Sequence, residues 1–349
     1  MQIDFGGGSE ISFERKGKAG LVKLTRTEAL NALTHKMILA LDRALQAWED
    51  DPEVACVILE GEGRAFCAGG DVVAAYKAGQ AGTPAYEFFR DEYRLNARIG
   101  RFPKPYISLI NGIVMGGGAG ISVHGSHRIV TENTMFAMPE TGIGFFPDVG
   151  GSAFLPHLRD NFGYYLALTG NRIRWGDCLQ SGIATHAVAA SDLHDLREDI
   201  IATADIDAAL TRSQYPDFET SVETRQIIAE CFSGATLADC MAALEKEAEA
   251  GNKAAMDIVK VIATRSPTSV AVTFRQIADG RALDLDDCMR MEYRIANRML
   301  EGHDFYEGVR ALLIDKDGAP TWKPATLDDV KPEQVNTYFA NLGDGELTL

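Results

Sequence analysis

Glu140 and Asp148 are the side chains of this sequence best suited to chemistry. They stand in Met138-Pro139-Glu140-Thr141-Gly142 and in Phe146-Pro147-Asp148-Val149-Gly150-Gly151. Gly142, Gly144 and Pro147 forbid one continuous helix through both, so the segment reads as a folded loop on which the acids can converge. Two neighbouring carboxylates have their pKa values pushed apart, which suits one as base or nucleophile and the other as proton handler. A plainer reading stays open. Glu140 can be a solvated loop acid, and Asp148 an N-cap ahead of a helix over 151–158.

Two glycine loops could serve those acids. Met115-Gly116-Gly117-Gly118-Ala119-Gly120 comes after the strand-like run Tyr106-Ile107-Ser108-Leu109-Ile110. Each glycine within regular structure costs roughly 0.5–1 kcal/mol relative to alanine, so three in a row point to a need for bare backbone. The other loop is Gly63-Arg64-Ala65-Phe66-Cys67-Ala68-Gly69-Gly70-Asp71, with Asp71 a natural N-cap for a helix over 72–78. If Gly70 and Gly117 meet, their N–H groups form an oxyanion hole, two donors aimed at one oxygen that gains charge. Sequence separation cannot show that they meet, and tight turns alone would also use these glycines. Cys67 has no recognisable base nearby and reads as a small buried thiol rather than a nucleophile.

Glu92 is the third acid of interest. The segment after Thr83-Pro84 carries apolar residues at Ala85, Phe88, Phe89, Leu95 and Ile99, at helical spacing, and Glu92 falls inside that stripe. A carboxylate there must be paired, hydrogen-bonded or facing a cavity. Both a core ion pair and a cavity-facing acid fit.

The elements that must position these groups change character near residue 190. Before it, Gly20–Leu24, Val54–Leu59, Tyr106–Ile110 and His127–Val130 read as buried strands alternating with helical segments, an α/β pattern. One such helix covers Thr34–Glu49, apolar at Met37, Leu41, Leu45 and Trp48. After it the chain reads as helical, with start signals at Thr236 and Ser266-Pro267, and Asp192–Asp207 as a polar surface helix and linker. Two regions are therefore expected, 10–190 with the active site and 191–349 as a helical C-terminal part.

Composition narrows the function classes. With 349 residues, 46% hydrophobic and 24% charged, the chain matches a globular protein with a large core. A formal net charge of −16 argues against nucleic acid as a general partner. Six cysteines without C-x-x-C spacing and seven dispersed histidines suggest neither a zinc site nor a disulfide framework. No run is apolar enough to span a bilayer. Met1-Gln2-Ile3-Asp4-Phe5-Gly6 shows neither a signal-peptide nor a transit-peptide pattern, so the cytoplasm is the default expectation. A homo-oligomer stays open.

These residues carry a family resemblance. Phe66-Cys67-Ala68-Gly69-Gly70-Asp71, the Asn111-Gly112 to Gly116-Gly117-Gly118 loop and Met138-Pro139-Glu140 resemble the signature of the crotonase (enoyl-CoA hydratase/isomerase) superfamily. Arg26 with Asn31-Ala32-Leu33 is similar to its opening motif, with Thr27 where a proline usually follows the arginine. Phe88–Tyr93, Ser122-Val123-His124-Gly125, Phe136–Thr141, Phe146–Gly151, Ala167–Gly170 and Glu307–Ala311 with Leu313–Asp317 resemble the branch that hydrolyses 3-hydroxyisobutyryl-CoA. The likeness runs from about residue 12 to the region of Val330.

The resemblance implies a fold, a ligand and roles. The fold is α/β, a crotonase-like spiral of repeated ββα or βββα turns with a helical C-terminal region. The substrate is an acyl-CoA whose thioester oxygen is held by the amides of Gly70 and Gly117, with Ala68 beside the adenine. Substrate contacts map onto Glu92, Gly117, Glu140 and Asp148, and Glu140 and Asp148 are the catalytic pair. No metal or redox cofactor is implied; coenzyme A is the handle of the substrate. Hydratases of the superfamily carry a second glutamate after the glycine loop, where this chain has Gly120. Thioester hydrolysis therefore fits better than hydration of a double bond, with an enoyl-CoA hydratase or isomerase, or a non-catalytic acyl-CoA-binding scaffold, as alternatives.

Overall fold

The computed structural model describes all 349 residues, Met1–Leu349. By contact density the chain falls into two compact units: 1–71, 91–136 and 173–219 form the first, and 72–90, 137–172 and 220–349 the second.

The first unit is built on two sheets. One has seven strands in the order β1 (Gln2–Ile3), β2 (Ile11–Lys16), β3 (Ala19–Leu24), β4 (Cys56–Gly61), then Tyr106–Ile110, His127–Val130 and His186–Ala187. The second has four: Ala65–Cys67 (β5), Ile113–Met115, Met135–Ala137 and Ile173–Arg174. Numbering onward, Tyr106–Ile110 is β6, Ile113–Met115 β7, His127–Val130 β8, Met135–Ala137 β9, Ile173–Arg174 β10 and His186–Ala187 β11. The chain visits the sheets in turn: β4 then β5, β6 then β7, β8 then β9. Strands β3, β4, β6 and β8 are parallel neighbours, and β5 pairs parallel with β7. This stepping between two parallel layers winds the backbone as a spiral, and each step ends in a loop at the same end of the strands.

Local chemistry accounts for the elements. The strands read as buried occur at Ala19–Leu24, Cys56–Gly61, Tyr106–Ile110 and His127–Val130. Helix His35–Glu49 buries Met37, Leu41, Leu45 and Trp48, and its N-cap Thr34 accepts from the amide of Met37, a contact typically worth about 1 kcal/mol. Strand β2 was not read from the sequence. Its alternation of buried Ile11 and Phe13 with more exposed Ser12 and Glu14 is short and ends in charged residues.

The segment over 192–207 departs from the surface helix and linker read from its polarity. Leu196, Ile200, Ile201, Ile206, Ala209 and Leu210 pack with Leu21, Ile58, Ile107 and Ile129 in one core cluster. A narrow apolar stripe between acidic residues is enough to cover a sheet face. The acids Asp195 and Asp199 between these apolar residues are exposed.

The second unit is helical. Thr236 opens Leu237–Glu249 with a capping box, and Ser266 caps Pro267–Gly280 with proline at the first position, as the start signals predict. Leu285–Met299 follows, capped by Asp284. No helix in the chain is long and apolar enough to cross a membrane.

Candidate active site

In the first unit the glycine loops meet. Asn31, in the left-handed region with φ 59°, sends its amide nitrogen to the carbonyls of Glu62, Ala65 and Phe66. Arg26 ion-pairs with Asp71 at 2.9 Å and donates to the Ala32 carbonyl. Leu33 donates to the Gly69 carbonyl at 2.8 Å and accepts from the Asp71 amide at 2.9 Å, making a short parallel bridge. That ladder uses the groups on either side of Gly70, so the Gly70 N–H turns the other way. The opening motif thus acts as the brace of the Ala68–Asp71 loop.

Gly117 is the first residue of helix Gly117–Val123, after Gly116 at φ 47°, a conformation that suits glycine alone. The first amides of a helix have no intrahelical acceptor. Neither Gly70 nor Gly117 donates its N–H within the chain. A Cβ on Gly117 would come within 3.0 Å of the Gly70 nitrogen and 2.6 Å of Glu92 Oε1. Gly70, Gly117 and Glu92 are therefore brought together.

Glu92 is 2% exposed, on helix Tyr86–Arg101, among buried Phe89, Leu95 and Ile99. Its Oε1 faces the glycine pair. Ala68 stands half-buried on the same loop as Gly70. Cys67 is fully buried, and burial pushes its thiol up to about 12. A thiol so protonated is no nucleophile.

In the second unit the two loop acids lie within electrostatic range of each other. Glu140 begins a 3₁₀ turn, Glu140–Ile143, closed by Phe145 donating to the Glu140 carbonyl at 3.0 Å. The turn is tied at Thr141, whose hydroxyl donates to the Ala167 carbonyl and whose carbonyl accepts from the Ser266 amide at 3.1 Å. Burial, and then the charge of Asp148, hold the Glu140 carboxyl well above the usual glutamate range. Its Oε2 is buried and makes no hydrogen bond. Such a group is a stronger base than an ordinary carboxylate once ionised, and its free oxygen is open to a proton or a carbon centre.

Asp148 is 5% exposed, and the N-cap position of the following helix, Gly151–Phe154, is held by Gly150. The backbone after it is strained. Val149 adopts φ 53° and Gly150 φ 87°, and a β-branched residue in that region costs on the order of 1–3 kcal/mol. Two residues that sequence reading missed hold the turn. Glu292 accepts from the amides of Gly150 at 2.7 Å and Ser152 at 2.8 Å. Gln276 donates to the Pro147 carbonyl at 2.6 Å and the Ser152 hydroxyl at 2.9 Å. The signal for Glu292 was present: an acid among Cys288, Met289, Ile295 and Met299 on one buried helix face, the same pattern that marked Glu92.

No group of three or more His, Cys, Asp or Glu side chains is placed to hold a metal ion.

A sequence profile of the enoyl-CoA hydratase/isomerase family matches residues 19–339. The chain belongs to the enoyl-CoA hydratase/isomerase family. It has the crotonase-like α/β fold of that family, and a crystal structure of a carnitinyl-CoA dehydratase from Mycobacterium thermoresistibile superposes with a TM-score of 0.92 at 43% identity, covering 98% of this chain and 99% of that one. Among named relatives, the mitochondrial 3-hydroxyisobutyryl-CoA hydrolase of Rattus norvegicus is 45% identical over 97% of this chain and 91% of its own length. That of Danio rerio is 45% identical over 98% of this chain and 92% of its own.

One expectation is corrected by these relatives. The cytoplasm was a default resting on the lack of a recognisable leader in the first residues, and the relatives are named as mitochondrial. A folded core of this family has the same chemistry in either compartment, so its composition carries no address.

Proposed function

We propose that this enoyl-CoA hydratase/isomerase family member is an acyl-CoA thioester hydrolase acting on 3-hydroxyisobutyryl-CoA, with 3-hydroxypropionyl-CoA as a second substrate and a place in valine degradation. The similarity to 3-hydroxyisobutyryl-CoA hydrolases over nearly the whole chain carries this reading. Gly120, where hydratases of the superfamily carry their second glutamate, supports it from within the sequence.

In this reading the amides of Gly70 and Gly117 hold the thioester oxygen, and Ala68 lies beside the adenine of coenzyme A. Glu140 works in one of two ways. It takes a proton from water while the water oxygen bonds to the carbonyl carbon, or it bonds to that carbon itself. Negative charge builds on the thioester oxygen, where the two N–H donors oppose it. Collapse breaks the C–S bond, and coenzyme A leaves as thiolate and takes up a proton. The first route gives the acid directly. The second gives a mixed anhydride that water then opens. Asp148 orients Glu140 or the water and assists proton movement, and Glu92 accepts a hydrogen bond from the substrate hydroxyl. No cofactor beyond the substrate's own coenzyme A is required.

Thiol release from a panel of acyl-CoAs tests the activity. The expected result is turnover of 3-hydroxyisobutyryl-CoA without change in the double-bond absorbance of crotonyl-CoA. Loss of that absorbance without thiol release would favour a hydratase, the reading that the dehydratase neighbour supports. A single turnover in ¹⁸O-water tests the anhydride route: label in the Glu140 carboxyl requires an anhydride that water opens at the glutamyl carbon, whereas direct attack of water puts the label only in the product acid.

A further inference from the structure

The strained turn behind Asp148 is held by two polar side chains that are themselves completely buried. Glu292 and Gln276 are both 0% exposed. They come from different helices, Leu285–Met299 and Pro267–Gly280. Between them they take the Pro147 carbonyl, the Gly150 amide, and the amide and hydroxyl of Ser152. These groups flank Asp148 and Val149 on both sides.

The carboxyl of Glu292 is expensive where it stands. The same helix face buries Cys288, Met289, Met291, Ile295 and Met299, so a hydrophobic side chain would serve packing at least as well. Burial, with a smaller push from the charge of Asp148, raises Glu292 to about 8, against hydrogen bonds from Ser152 and Gly150 that favour its ionised form. Asp148 thus lies within electrostatic range of two buried acids, Glu140 and Glu292. Left unheld, a valine at φ 53° would relax toward negative φ and swing the neighbouring Asp148 carboxylate away.

We propose that Glu292, seconded by Gln276, is a positioning residue of the reaction: it clamps the Asp148–Ser152 turn and so fixes the Asp148 carboxylate relative to Glu140. The proposal rests on the assignment of Asp148 as the partner of Glu140 in thioester hydrolysis.

A double-mutant cycle on the full chain tests it, with kcat normalised to folded protein by circular dichroism. Glu292→Gln keeps the shape but only one acceptor oxygen, so one of the two amides loses its partner. Its kcat should fall about 10- to 100-fold, as displacements of about 1 Å do, with KM changed less than about threefold. In an Asp148→Asn background the same substitution should change kcat by less than about twofold, because the group it positions is already disabled. Full additivity, or a normal kcat for the single variant, overturns the positioning role while leaving Asp148 in place. A normal kcat for Asp148→Asn alone overturns the assignment of Asp148 and this proposal together. If Glu292→Gln does not fold, Gln276→Met, which removes the bonds to Pro147 and Ser152, runs through the same cycle with the same expected non-additivity, and additivity there is equally decisive against it.

Discussion

Oε1 of Glu92 lies 2.6 Å from where a Cβ on Gly117 would stand. A carboxylate from the middle of one helix therefore closes on the first residue of another, and the absence of a side chain at Gly117 is what permits the approach. The same missing Cβ leaves the Gly70 nitrogen at 3.0 Å. Any side chain at Gly117 would therefore displace the Glu92 carboxylate and crowd the Gly70 amide.

Gly117→Ala should keep the fold and lose activity. The added methyl displaces Glu92 and crowds the Gly70 amide, and disabling one oxyanion donor costs about 10²–10³ in kcat. Circular dichroism checks the fold and thiol release checks the rate. A variant with near-normal turnover would remove the oxyanion role from this pair of amides.

Glu140→Gln should lower kcat by at least about 10², the usual contribution of a general base, while acyl-CoA still binds. The amide is nearly isosteric but takes no proton. Turnover above about a tenth of the parent's would take the base or nucleophile assignment away from Glu140.

The pH–rate profile should have an acid limb displaced above the ordinary glutamate range of about 4.3. As pH falls through the raised pKa of Glu140, its carboxylate takes up a proton and the rate is lost. Asp148→Asn removes the second cause of that shift and leaves burial, the first. The limb should therefore move toward lower pH in whatever activity the variant retains. An unmoved limb would mean that another group sets it.

Glu92→Gln should harm 3-hydroxyacyl substrates more than the matching acyl-CoA without the hydroxyl, since a site built to bond a hydroxyl discriminates strongly. Comparing kcat/KM on both substrates reads this out. Equal losses would place Glu92 in a step common to both.

Glu292 also has a consequence for stability. Its carboxyl is raised to about 8 in the folded protein, above an unfolded value of about 4.3. The folded state then binds the proton more tightly, so its contribution is complete below the unfolded value and declines as pH rises toward about 8. Glu292→Gln does not titrate, so its Tm should gain on the parent's across that window. Parallel Tm curves would show that the group is not perturbed.

The sequence by itself determined what depends on neighbours along the chain. Buried strands such as Cys56–Gly61 and Tyr106–Ile110, the amphipathic helix His35–Glu49 and the caps at Thr236 and Ser266 follow from side-chain period and from hydrogen bonding to nearby amides. It also pointed to a folded loop carrying Glu140 and Asp148 and to glycine loops at Gly70 and Gly117 that could offer bare backbone. Short or mixed patterns were harder to read: β2 alternates over only a few residues, and the stripe of Leu196, Ile200 and Ile201 is interleaved with Asp195, Glu198 and Asp199. What only the tertiary structure decided is which distant groups meet. The approach of Gly117 to Gly70 and Glu92, and the grip of Glu292 and Gln276 on the turn behind Asp148, join positions far apart in sequence. Such meetings come from the packing of whole strands and helices, and no local period records which face will find which partner.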